Sequence, residues 1–457
     1  MGKTIDLTEG NIFKSLIKLA MPIIGTSFVQ MAYSLTDMIW VGRLSSDAVA
    51  AVGTAGFFTW LASAVILIAR VGAEVGVAQA TGRKDRNEAQ AYIRHSIQLI
   101  VCLASVYALL LILFRKPLIG FYRLGASVEE QATSYLLIVS LGMVFFAVNP
   151  IFTAIFNGVG DSTSPFKVNA VGLVLNIILD PILIFGLGPI PRLETAGAAV
   201  ATVIAQLTAT LVFVFQAEKR TDLFAGLQLL KKPNSVYLKR IVKLGLPVAV
   251  QSAFFTTIAM VIARIISQWG PLPIAVQKVG SQIESISWMT AGGFQTAMSA
   301  FVGQNYGAKK WDRVVKGYFA GIGIVSIVGI FATFLLIFGA RPLFAIFIPE
   351  AEAISHGIVY LRILGLSQLG MCVEIVTAGA FIGHGRSFPP SIVSIVFNLL
   401  RIPGALILSS FVGLEGVWWA ISLSSIFKGS VLVIWHIHYL RTNPELAGWR
   451  QQAEMIS

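Results

Sequence analysis

The chain has 457 residues, of which 56% are hydrophobic and only 12% charged, and it carries a net charge of +12. A soluble domain is about one-quarter charged residues, so this composition excludes an ordinary soluble protein. No polar segment is long enough to form a separate soluble domain, and the chain reads as one membrane unit.

Apolar stretches of about 20 residues, the length that spans a bilayer, recur from one end to the other. In chain order they predict twelve transmembrane helices, at about 15–41, 49–77, 93–114, 131–155, 165–187, 194–216, 241–267, 272–302, 315–340, 355–382, 389–412 and 413–438. Outside these spans, 17 Lys and Arg fall on the N-terminus, every second loop and the C-terminus, against six on the other loops. By the positive-inside rule both termini are expected in the cytoplasm, with the chain multi-pass in the plasma (inner) membrane. The basic excess is therefore a topology signal and not a nucleic-acid footprint. Cys102 and Cys372 lie in apolar spans, where packing explains them. The first apolar run is too long for a cleavable signal peptide, and Gly2 lacks the Ser or Thr at position 6 that myristoylation needs, since Asp6 stands there.

Landmarks recur at one spacing. Pro22 and Pro247 close "KLAMP" and "KLGLP"; Gln79/Gln304 and Gly82/Gly307 mark "AQATGRK" and "GQNYGAK"; Gly158/Gly383 and Gly160/Gly385 mark "FNGVGDS" and "FIGHGRS", followed by Pro165/Pro390. Every pair is 225 residues apart. The chain thus reads as two homologous halves: a six-helix N-lobe at 1–216, a cytoplasmic linker at 217–240, and a six-helix C-lobe with a short tail at 241–457. Six spans per half give both halves one orientation, related by a pseudo-two-fold axis along the membrane normal. The expected fold class is all-α integral membrane.

An ionisable side chain inside a bilayer is costly and calls for a partner or a function. Asp37, Glu74, Asp180, Glu284 and Glu374 are such acids. Counted from the span ends at Gly42, Gly186 and Gly197, the residues Asp37, Asp180 and Thr202 fall roughly 6–9 Å below the outer surface, as does Tyr135 on the fourth helix. Asn176 lies one turn from Asp180 on the same face. Such oxygen ligands suit a hard cation such as Na+, whereas two close carboxylates can share a proton. A hydrogen-bond network without transport is the plainer alternative. In the second half, Arg264 stands at the depth of Asp37, and Arg401 near the level of Asp180. Cations there would repel a second cation, which confines coupling to the N-lobe. Glu284 and Glu374 either pair with these arginines or face substrate. Arg70 and Glu74, spaced i, i+4, read as a neutralising pair. Pro22, about 22 Å from Asp37 along the helix, is a passive kink or a hinge. His436 and His438 read as interfacial. No nucleotide-binding GxxxxGK[ST], GxSxG or HExxH motif occurs, so ATP hydrolysis and other enzyme chemistry are not expected.

"DLTEGNIFKSLIKLAMPI", "YSLTDMIWVG", "FNGVGDSTSP", "LNIILDPILIFGLG" and "TAGAAVATVIAQ", in order and over nearly the whole chain, resemble the multidrug and toxic compound extrusion (MATE) family. The resemblance is nearest to its archaeal and DinF-like branch. It implies a pair of six-helix bundles that exchanges H+ or Na+ for amphipathic, often cationic, compounds. By that likeness the coupling site falls on Asp37, Asn176 and Asp180, with Thr202 and Tyr135, and the bend of the first helix on Pro22. Another branch has an acid on the seventh helix; Pro247–Gly270 contains none. The expectation is a monomeric antiporter without cofactor, with small organic substrates and the lipid bilayer as its partners. A flippase for a lipid-linked precursor is the rival, and a non-transporting scaffold or receptor a more distant one.

Overall fold

The computed structural model describes residues 4–446 apart from 190 and 349; Gly2 and the end of the tail lie outside the described residues. Sixteen α-helices run in chain order, and no strand occurs among the described residues. The first set is α1 (Ile12–Gly42), α2 (Ser46–Gly82), α3 (Arg86–Gly120), α4 (Ala126–Leu141), α5 (Met143–Gly158), α6 (Thr163–Phe185), α7 (Glu194–Glu218) and the short α8 (Thr221–Phe224). The second is α9 (Ser235–Ile266), α10 (Pro271–Gly307), α11 (Trp311–Phe338), α12 (Ala340–Ala345), α13 (Ala351–Gly365), α14 (Gln368–Gly383), α15 (Phe388–Val412) and α16 (Leu414–Thr442). Every predicted span finds its helix.

Two spans are broken. The fourth is α4 plus α5, bent by 50°, and the tenth is α13 plus α14, bent by 47°. At the first break stands Gly142, where a Cβ would come within 2.6 Å of Val203 on α7. α2 and α10, at 37 residues each, are the longest helices, and their second ends are buried. Ser45 caps α2, its hydroxyl accepting from the Ala48 N–H at 3.0 Å, and Asp85 caps α3 by accepting from the Glu88 N–H at 3.0 Å.

The duplication is written in the backbone as well as the sequence. Lys84 and Lys309 both take positive φ (57°) just after α2 and α10. Gly160 and Gly385 do so (88° and 78°) in the loops before α6 and α15. Glycine supplies that left-handed conformation without strain.

The chain divides into two compact units. One comprises Met21–Leu246 with the residues up to Ile5; the other comprises Asp6–Ala20 with Pro247 onward. The boundaries therefore fall beside Pro22 and at Pro247, inside α1 and α9, and not in the linker. In the first unit, α3 holds the linker by side chains spaced along one face. Arg86 donates to the Thr221 carbonyl (2.5 Å), Gln90 to Ala225 (3.0 Å) and Gln98 to Leu229 (2.6 Å). The Asn234 N–H donates to His95 Nε2 at 2.8 Å. In the second unit, Arg313 and Asn305 bind the Leu7 carbonyl, and Lys310 binds that of Thr8. Small residues let the helices approach closely, as packing in lipid requires, and large aromatic and branched side chains fill the rest of the cores. Ala69, Ala73, Ala80 and Ile93 are buried in the first unit; Trp418, Phe344 and Leu361 in the second.

Candidate functional site

The candidate site lies in the first unit, where α1, α4, α6 and α7 converge. Gly186 ends α6 in the left-handed conformation (φ 73°, ψ 59°), which turns the chain back toward α7. α7 then packs tightly on α6: a Cβ on Gly197 would collide with the Leu183 carbonyl, and Ala198, Ala201 and Ala205 are buried. This small-residue seam brings Thr202 level with Asp180.

Asp180 and Asn176 are fully buried, and Thr202 and Tyr135 nearly so. Asn176 Nδ2 donates to Asp180 Oδ1 at 3.1 Å, as i, i+4 stacking predicts. Thr202 Oγ1 donates toward Asp37 Oδ2 at 3.5 Å. The Asp37 and Asp180 carboxyls lie close to each other, and Asn176 lies beside both. Two carboxyls so placed can share a proton. Asp37 Oδ1, Asp180 Oδ2 and Asn176 Oδ1 are buried oxygens that no protein donor satisfies. Buried polar groups are ordinarily bonded, so three convergent acceptors form a cradle suited to a proton or a small hard cation. Tyr135 is buried on α4, near both carboxyls.

One member was missed from sequence. Tyr33 stands one turn before Asp37, its hydroxyl 3.5 Å from the Thr202 carbonyl. The i, i+4 spacing to Asp37 was the available signal. Pro22 lies inside α1 beside the boundary between the two units.

The second unit carries its own polar set, arranged differently from the expected acid–arginine pairs. Glu374 pairs with Lys428, with Oε2 and Nζ 3.3 Å apart and both side chains buried. Arg401 donates from Nε to Ser424 Oγ (2.9 Å) and from Nη2 to Ser425 Oγ (3.0 Å). Glu284 Oε2 accepts from Gln368 Nε2 at 3.3 Å. Arg264 is exposed and donates to the Ser267 hydroxyl at 3.2 Å. Lysine and serine take these contacts because α16 turns Ser424, Ser425 and Lys428 inward, a rotation that uniform apolarity does not disclose. His436 also differs from its interfacial reading. It is fully buried, 4.1 Å from the Tyr318 ring and 4.7 Å from Phe381. Cys372 is buried and Cys102 exposed on the surface of α3. Glu74 is buried beneath α5, where Gly158 abuts its carbonyl.

The family model MatE matches the chain twice, over residues 22–182 and 247–407. The two matches begin at Pro22 and Pro247, repeating the spacing of the landmarks. The probable multidrug resistance protein NorM of Thermotoga maritima is 27% identical over 433 residues, covering 93% of this chain and 92% of that protein. An FAD transporter of Shewanella oneidensis is 22% identical, covering 93% of this chain and 94% of its own. A solved MATE structure in the bent conformation superposes with a TM-score of 0.89 at 22% identity, over 99% of this chain and 100% of that one. With both halves matched, the chain belongs to the MatE family of multidrug efflux transporters.

Proposed function

We propose that the chain is a secondary antiporter that exports amphipathic organic cations in exchange for H+ or Na+, with coupling at Asp37, Asn176, Asp180, Thr202 and Tyr135. The observation that carries this reading is the cradle of three buried oxygens without a protein donor, two of them on the carboxyls of Asp37 and Asp180 and the third on Asn176. Such a group can take a proton or a small cation when open to one side, and its charge then differs between the loaded and empty states. A transporter needs that difference, because only an ion with unequal affinity for two states shifts their balance. Pro22 is where α1 would bend as the site loads, since a proline leaves the helix without one backbone bond. Both termini are assigned to the cytoplasm, and the monomer is the working unit in the plasma membrane.

The test is export of ethidium from proteoliposomes under separate Na+ and pH gradients. Asp37→Asn and Asp180→Asn should each insert and fold yet lose gradient-driven export. Full transport by both variants overturns the assignment. A second reading, a flippase for a lipid-linked precursor, draws on Arg264 and Arg401. Neither has a carboxylate within ion-pair distance among the described residues, which leaves positive charge for a phosphate headgroup. Translocation of a lipid-linked pyrophosphate, without dye export, would favour it.

A further inference from the structure

The linker of the first unit climbs along α3. Arg86, Gln90 and Gln98, spaced by multiples of four on that helix, take the carbonyls of Thr221, Ala225 and Leu229 in the same order. From Arg86 to Gln98 the rise is about 18 Å, and Gln98 stands about 8 Å inside the span that begins at residue 93. There the linker turns. The Lys231 N–H donates to the Gln228 carbonyl at 3.2 Å, and Gln98 Nε2 holds the Lys231 carbonyl at 2.8 Å. The chain then runs back along α3, with Asn234 bound at His95. The tip of this turn is thus the part of the linker nearest the apolar length of α3. The next members of the same helical row, Cys102, Val106 and Leu110, are exposed, as a lipid-facing row must be.

The chemistry of the tip does not suit water. The centre of a turn ordinarily carries Gly, Asn, Asp or Pro; here Leu229 and Leu230 occupy it, both exposed and Leu230 fully so. Apolar side chains held out in this way gain only by entering hydrocarbon. Arg94 fills the remaining place in the α3 row, between Gln90 and Gln98, and its Nε is buried without an acceptor among the described residues. Lys231 and Lys232 are exposed beside the leucines. The linker's Asp222 is taken by Arg220, and no carboxylate pairs with either lysine among the described residues. A guanidinium donor without a partner, two ammonium groups and an apolar tip lie within about one turn of α3. Together they match a molecule with an anionic head and an apolar tail.

We propose that the turn at Leu229–Leu230 is a docking site for an anionic phospholipid in the leaflet on the linker's side. The two leucines enter the acyl region, while Arg94, Lys231 and Lys232 hold the phosphodiester. Arginine supplies directed donors to its oxygens and the lysines supply point charge. Because Gln98 and His95 fix the turn on α3, a bound lipid braces the linker against the first unit. The proposal rests on the membrane-spanning fold and not on the antiport reading.

The test uses the full chain in detergent micelles, with Cys102→Ser, Cys372→Ala and Leu230→Cys, the last carrying the fluorophore NBD. Phosphatidylglycerol or phosphatidylcholine with a doxyl quencher on its acyl chain is titrated in. Both lipids should quench the tip, phosphatidylglycerol at the lower mole fraction. A basic group near an anionic surface carries about a five-fold preference, so Lys231→Gln, Lys232→Gln and Arg94→Gln should each lower the ratio about five-fold. Lys239→Gln, outside the turn, should leave it unchanged. NBD moved to Ala225→Cys, about 12 Å lower along α3, should meet aqueous iodide and neither lipid. Equal quenching by the two lipids overturns the proposal, as does a tip that only iodide reaches. A loss of about five-fold in Lys239→Gln as well shows diffuse surface attraction in place of a site, and overturns it too.

Discussion

Replacing Lys428 by methionine isolates the cost of leaving one buried charge alone. Methionine keeps the length and apolar stem of the lysine and removes only the ammonium. In the native chain that ammonium lies 3.3 Å from Glu374 Oε2, with side-chain exposures of 9% and 7%. Water cannot replace it at that depth. Removing one partner of a buried pair typically costs about 3–5 kcal/mol, whereas replacing both by apolar residues is neutral or stabilises by about 1–4 kcal/mol. Lys428→Met should thus fall near the upper end of single-substitution effects, and Lys428→Met with Glu374→Leu should recover the loss. Equilibrium unfolding in mixed micelles, run as a double-mutant cycle, measures both terms. A loss below about 1 kcal/mol for Lys428→Met would place the pair among solvent-exposed bridges and refute the buried-pair account.

Other perturbations probe the first unit. Gly197→Ala forces α7 away from the Leu183 carbonyl; overpacking of this kind costs about 1–3 kcal/mol. Because Thr202 moves with α7, the variant should also show weaker ion dependence of export than the wild type. His95→Ala removes the acceptor of the Asn234 N–H, a loss of about 1–3 kcal/mol. Limited proteolysis should then cut near Lys231 and Lys232 faster than in the wild type, with the helices intact. Trp418→Ala opens a cavity beside Tyr360, whose ring is 5.3 Å away. Its expected cost is about 3–5 kcal/mol, read as a lower melting temperature.

Hydropathy and charge placement were enough to find every span, because each helix must bury its own backbone bonds in lipid. The pairing of Pro22 with Pro247 and of Gly160 with Gly385 was legible for the same reason that Lys84 and Lys309 share one backbone conformation: the halves repeat. Depth along the helix located Asp37, Asn176, Asp180 and Thr202, which the structure gathers. Rotation about the helix axis was not legible. α16 is apolar toward lipid and toward protein alike, so nothing in its sequence announced that Lys428, Ser424 and Ser425 face inward. The burial of His436 escaped for the same cause. The bend at Gly142 depends on Val203, a neighbour 61 residues away, and no local pattern around Gly142 carries it.

The boundary inside α9 has a practical consequence for dissecting the molecule. Ser235–Leu246 belongs by packing to the first unit: a Cβ on Gly72 would sit 2.7 Å from the Ile241 backbone, and Gly245 abuts the Ile68 carbonyl. A fragment ending at the linker would leave α2 with a bare glycine-lined groove. An N-terminal half that is to fold by itself must borrow the opening turns of the next repeat, and stop at the proline where that repeat's own packing begins.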